Sequence, residues 1–92
     1  MKGILVKTIY KYEDVELVSG AKVTAYEVTI QDNKVANIQN GNVTIDNKNF
    51  NFSIYNYGIN GDKTYNLNNV PANVDGQAIV REFVTYVEND IA

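Results

Sequence analysis

From Asn33 to Tyr57 the chain reads NKVANIQNGNVTIDNKNFNFSIYNY, with apolar and polar residues alternating between pairs of turn-forming residues. A period of two sends successive side chains to opposite faces of a strand, so this stretch calls for an antiparallel sheet with one buried face. Asn40-Gly41 is the strongest hairpin signal, because a two-residue type I′ turn needs positive φ twice and Asn-Gly tolerates it best. Across that turn Ile38 is expected opposite Val43 and Ala36 opposite Ile45, with Asn37 meeting Thr44 on the other face. A second turn at Asn47-Lys48 would set Ile45 against Phe50 and Val43 against Phe52, with Thr44 opposite Asn51 and Asn42 opposite Ser53. A three-residue loop, Asp32-Asn33-Lys34, would bring Val28 to Ile38 and Ile30 to Ala36.

The expected inner face carries Tyr26, Val28, Ile30, Ala36, Ile38, Val43, Ile45, Phe50, Phe52 and Ile54, and the outer face Glu27, Thr29, Asn37, Gln39, Asn42, Thr44, Asn49, Asn51 and Ser53. Upstream, Gly3–Tyr12 alternates as a strand, with Tyr10 and Tyr12 inward and Leu5 and Ile9 on the lysine-bearing side. A tight turn at Glu13-Asp14 would pair Lys11 with Glu16 and Tyr10 with Leu17. A loop at Ser19-Gly20-Ala21-Lys22 would then set Val15 against Tyr26 and Leu17 against Thr24. Downstream, Gly58-Ile59-Asn60-Gly61-Asp62 breaks the pattern, and Lys63–Leu67 is expected as a short strand with Tyr65 and Leu67 inward. Pro71 closes the sheet region.

After Asn73 or Asp75, either able to cap, the period becomes about 3.6. Gly76, Val80, Phe83, Val84, Val87 and Ile91 then share one face, with Ile79 and Tyr86 flanking. Glu82 and Glu88 point away, and Glu88 and Asp90 fall in the last turn, against the macrodipole, as at a frayed, solvated end. The expected fold is α+β: a curled antiparallel meander of five to seven strands over residues 3–67, with one C-terminal α-helix, about 74–90, on its inner face. Ninety-two residues suffice for one such domain with a single core.

Composition narrows the chemistry. With no histidine and no cysteine, the usual neutral-pH base, thiolate nucleophile and soft metal ligands are missing, so no enzyme, cofactor or metal is expected. Glu13, Asp14 and Glu16 cluster as solvated turn acids, and the Asp/Asn-rich turns at Asp46–Asn49 and Asn60–Asp62 lack calcium-loop spacing. A net charge of −3 argues against nucleic acid as partner. The apolar run Ile4–Val6 is too short for a signal peptide, which points to the cytoplasm, with no membrane association. Abundant Asn, Lys, Ile and Tyr, all with AT-rich codons, suit a low-GC bacterium or its phages.

The expected function is a non-enzymatic small binding protein, an inhibitor or adaptor encoded by a phage or mobile element. Its partner would be another protein or a small polar ligand, held on an outer-face platform of Asn37, Thr44, Asn51, Tyr55 and Tyr57. Tyr and Asn on an uncharged surface supply the rigid area and adaptable hydrogen bonds found in paratopes. The first alternative is a structural subunit that self-assembles as a homo-dimer through Leu5 and Ile9, and the second, much less favoured, is a small enzyme.

Overall fold

The computed structural model describes residues 7–31, 34–55 and 64–91. Five antiparallel strands follow one another in a single open meander: β1 (Lys7–Glu16), β2 (Lys22–Gln31), β3 (Lys34–Ile45), β4 (Lys48–Tyr55) and β5 (Thr64–Asn68). One helix, α1 (Gly76–Asp90), closes the chain and packs on the sheet. The α+β meander with a C-terminal helix is therefore as the sequence pattern requires. The strands are fewer and longer than the turn signals imply.

Two of the expected turns are bulges inside continuous strands. Asn40 has φ 58° and Asp14 φ 50°, the left-handed backbone expected there, yet neither reverses the chain. At Asn40, β3 places Gln39 and Asn40 opposite the single residue Ser53 of β4. At Asp14, β1 places Glu13 and Asp14 opposite Thr24 of β2. A one-residue bulge and a two-residue turn both flip the parity of the inward positions, from Ile38 to Val43 in one case and from Tyr12 to Val15 in the other. Alternation alone is blind to the difference.

The true β1–β2 turn spans Leu17–Ala21, where Leu17 N–H donates to Ala21 O at 2.8 Å and Gly20 N–H to Leu17 O at 2.9 Å. Val15 consequently faces Val23, not Tyr26, and Lys11 pairs with Glu13 at 2.8 Å, not with Glu16. Asp46 and Asn47, at φ 52° and 62°, make the β3–β4 turn one residue earlier than expected. Moving a two-residue turn by one position slides the partner strand by two, so Val43 meets Phe50, and Thr44 meets Asn49, with every inner side chain still inside. Val28 does face Ile38, but Lys34 belongs to β3 and pairs with Gln31, and an extra residue at Ala36 brings Val35 opposite Ile30. The rest of the expected loop there, Asp32-Asn33, lies outside the described residues, as does Gly58–Asp62.

A further bulge in β2 sets Tyr26 and Glu27 opposite Lys11, so the inward sequence runs Val23, Ala25, then Val28, Ile30. Tyr26, expected inside, is turned out and half exposed; Val35 is buried in place of Ala36. The irregularities at Tyr26 and Asn40 face one another across the β2–β3 pair. Bulges add bend and twist, and aligned ones give the sheet a concave face. Into that face α1 presents Ile79, Val80, Phe83, Val84 and Val87, all buried, as its periodicity requires. Phe83 meets Phe52 and Tyr12 edge-on, at 6.2 and 5.8 Å between ring centres. Asp75 caps α1, its Oδ1 accepting Ala78 N–H at 3.1 Å, while Asn73 takes a left-handed turn position instead. Among the described residues no helix is long and apolar enough to cross a membrane.

Candidate functional site

The outer face over β3, β4 and β5 is rich in uncharged polar side chains, and its rows follow from the pairing. Thr24, Asn42, Asn51 and Asn68 occupy directly opposed positions on four successive strands, so they share the outer face in one line. At a strand spacing of about 4.8 Å that line is about 14 Å long. Asn42 Nδ2 donates to Asn51 Oδ1 at 2.9 Å, and Thr24 Oγ1 accepts the Asp14 N–H at 3.0 Å. Beside the row lies a groove of about 330 Å³ lined by Asn40, Asn42, Asn51, Ser53, Asn68 and the backbone at Gly41 and Phe52. None of these residues is charged. Two carboxylates join the network at its margin: Glu27 accepts from Asn40 Nδ2 at 3.2 Å, and Asp14 Oδ1 from Thr24 Oγ1 at 3.5 Å.

The expected platform does not assemble as one strip. Asn37 and Thr44 lie on the same strand, β3, separated by the Asn40 bulge, rather than facing each other across a turn. Asn37 instead stands between Thr29 and Tyr55, and its Oδ1 is shielded from solvent without a hydrogen-bond partner among the described residues. Tyr55 is half buried. Thr44 hydrogen-bonds Asn49, its cross-strand neighbour, one pair along from the Asn42–Asn51 pair. Tyr57 and Leu5 lie outside the described residues. Of the four platform residues described, Asn51 alone joins the asparagine row.

A second surface follows the open edge of the sheet at β1. The large apolar side chains exposed among the described residues are Ile9, Tyr10, Val18, Tyr26 and Tyr86. Ile9 and Tyr10 belong to β1, Val18 to the turn that follows it, Tyr26 to the bulge opposite Lys11, and Tyr86 to the helix face packed on Tyr12. The rings form a chain: Tyr10 to Tyr12 at 6.2 Å, Tyr12 to Tyr86 at 6.3 Å, and Tyr86 stacked at 12° on the buried Phe83. Tyr12 donates its hydroxyl to Asp90 Oδ2 at 2.9 Å, and burial, reinforced by that carboxylate, raises its pKa above the ordinary value. Where the seam opens, Leu17, Val18 and Tyr86 line an apolar groove of about 230 Å³ bordered by Glu16 and Glu82. On the outer side of the edge, the Lys11 ammonium sits 4.9 Å from the Tyr26 ring centre and 2.8 Å from Glu13.

The last-turn acids have partners rather than loose solvation. Glu88 Oε2 accepts the Val35 N–H at 3.0 Å, Asp90 accepts from Tyr12, and Glu82 Oε2 accepts the Val18 N–H at 2.8 Å. Charge-assisted bonds of this kind outweigh the roughly 0.3–1 kcal/mol that the helix dipole costs an acid at its C-terminus. Tyr86 and Val18 escaped the sequence reading because a flanking helix position and a turn residue carry no exposure signal until the helix is docked. Asn68 was visible in principle, since Asn68 and Leu67 alternate as Asn51 and Phe52 do. The chain matches no family model, no curated protein and no solved structure.

Proposed function

We propose that the protein is a non-enzymatic binding protein that docks another protein along β1 and the adjacent face of α1. The observation that carries this reading is that, among the described residues, the exposed large apolar side chains gather at that edge, on β1, the turn after it, the neighbouring bulge of β2 and α1. Aromatic residues in such patches anchor interfaces, each worth about 2 kcal/mol or more at a hot spot. Around them stand Glu16, Glu82 and Asp90, while Lys11 is already engaged by Glu13. An apolar groove with a carboxylate rim suits a Lys or Arg side chain, its stem against Val18 and Tyr86 and its charge at Glu16. The partner is accordingly a protein segment carrying basic residues. Composition and the missing histidine and cysteine favour an inhibitor or adaptor from a phage or mobile element, acting in the cytoplasm.

A photo-reactive residue at Thr85, on the groove, should crosslink one defined host protein that the same residue at Asn49, on the outer face, does not. Titration calorimetry with that protein should show Tyr86→Ser and Tyr10→Ser weakening binding at least about tenfold, at a temperature where circular dichroism shows both variants folded, with affinity falling as salt rises. Equal affinity for wild type and both variants would remove the seam from the interface. The exposed Ile9, at 65% accessibility on the outer side of the edge strand, favours self-association as the second reading.

A further inference from the structure

We infer that the row Asn42, Asn51 and Asn68 is a binding site for a neutral polyhydroxylated ligand, a carbohydrate, separate from the β1 edge. Backbone conformation explains four of the asparagines: Asn40, Asn47, Asn69 and Asn73 all have positive φ, which asparagine tolerates better than other side chains. It does not explain these three. Asn42, Asn51 and Asn68 have ordinary strand backbones, and asparagine is depleted in strands, where threonine does better. Asn37, Asn49 and Asn66 also stand on strands, and what sets Asn42, Asn51 and Asn68 apart is that they are directly opposed on three successive strands and border one groove.

The chemistry of the row selects the ligand. A primary amide offers two donors and an acceptor with two lone pairs side by side, which matches adjacent hydroxyl groups on a sugar ring. The Asn42–Asn51 bond consumes one donor and one lone pair, and among the described residues Asn68 makes no side-chain hydrogen bond. Most of the amide capacity of the row, which lines the groove, is therefore not used within the described residues. Its volume of about 330 Å³ is at the lower end of small-molecule sites, of monosaccharide or disaccharide size. With no charged residue in the lining, a phosphate or carboxylate ligand would lose hydration without a compensating partner, whereas a neutral polyol exchanges water hydrogen bonds for amide ones. Ser53, with its short side chain, leaves the groove open beside the amides.

The experiment is a titration of the 15N-labelled protein with glucose, galactose, mannose and N-acetylglucosamine, each as monosaccharide and disaccharide, following the side-chain amide resonances. The expected result is saturable shifts at Asn42, Asn51 and Asn68, with the Tyr10 and Tyr86 backbone signals unmoved. Asn51→Thr and Asn68→Thr should weaken that binding at least tenfold while leaving the melting temperature equal or higher. That combination separates a ligand site from a merely structural ladder, whose loss would lower the melting temperature. Absence of saturable shifts with the whole panel would overturn the inference, as would unchanged affinity in both threonine variants. Broadening of the three amides with protein concentration instead of sugar would also overturn it, by assigning the row to contact between copies of the chain.

Discussion

At Gly41 the reason for glycine differs from the one its neighbour suggests. It has no positive φ; that conformation belongs to Asn40. A Cβ at Gly41 would fall against the Cε1 and Cζ atoms of the Phe52 ring, so the residue is small because an aromatic side chain lies on its backbone. Gly41→Ala should therefore cost about 1–3 kcal/mol by overpacking, and denaturant melts should show that cost shrinking in a Phe52→Leu background, where the ring is gone. A cost that is the same in both backgrounds would point to the backbone instead. Tyr12 gives the pH dependence. Its pKa is raised in the folded protein, first by burial and then by the Asp90 carboxylate, so above the unfolded value of about 10 the native state holds a proton that the unfolded chain releases. Stability from this group is complete below pH about 10 and declines as pH rises beyond it. Tyr12→Phe should flatten that alkaline decline in thermal melts, at a cost of about 0.5–1.5 kcal/mol near neutrality for the lost hydrogen bond.

At the scale of elements, the helix is fastened by three carboxylates, of which Glu88 and Asp90, in the last turn, are disfavoured by its own dipole. Glu82 reaches the turn after β1, Glu88 the start of β3, and Asp90 the middle of β1, so α1 ties together strands that are not neighbours. The Val35 N–H lies beside an irregular pair, where the ladder leaves an amide to be satisfied from elsewhere. Glu88→Ala should cost about 1–3 kcal/mol and raise hydrogen exchange at Val35, whereas Glu88→Gln, which keeps an acceptor, should recover most of that protection. Protection at Val35 unchanged by Glu88→Ala would mean that the bond contributes nothing to the clamp. Helix periodicity, a cap at Asn73 or Asp75 and the inward residues of α1 were legible beforehand, because a single element's contacts with itself set them, and the structure selects Asp75. What Glu88 and Asp90 would meet was not, since their partners are separated from them by 53 and 78 positions.

For the molecule as a whole, strand length is set by what must be covered. A helix of 15 residues is about 22 Å long, and strands of four or five residues, about 15 Å, would leave one end of its apolar stripe in water. Bulging at Asp14 and Asn40 instead of turning gives β1 and β3 lengths of 10 and 12 residues and one continuous concave face. The same choice leaves β1 as an open edge carrying Ile9. If that edge mediates self-association, light scattering behind size exclusion should report a dimer that Ile9→Lys converts to a folded monomer. A wild type that is monomeric at high micromolar concentration assigns the edge to a different protein. The alternation of apolar residues determined the inner face, the meander and the helix on it, because burial of one face is a local, period-two property that survives any two-residue slip. Only the tertiary structure decided which left-handed Asn or Asp turns the chain and which merely bends it, since both shift parity alike and the long apolar face of α1 must be matched. With that decision came the asparagine row and the tyrosine seam, whose members are brought side by side by pairing and helix docking rather than by nearness in sequence.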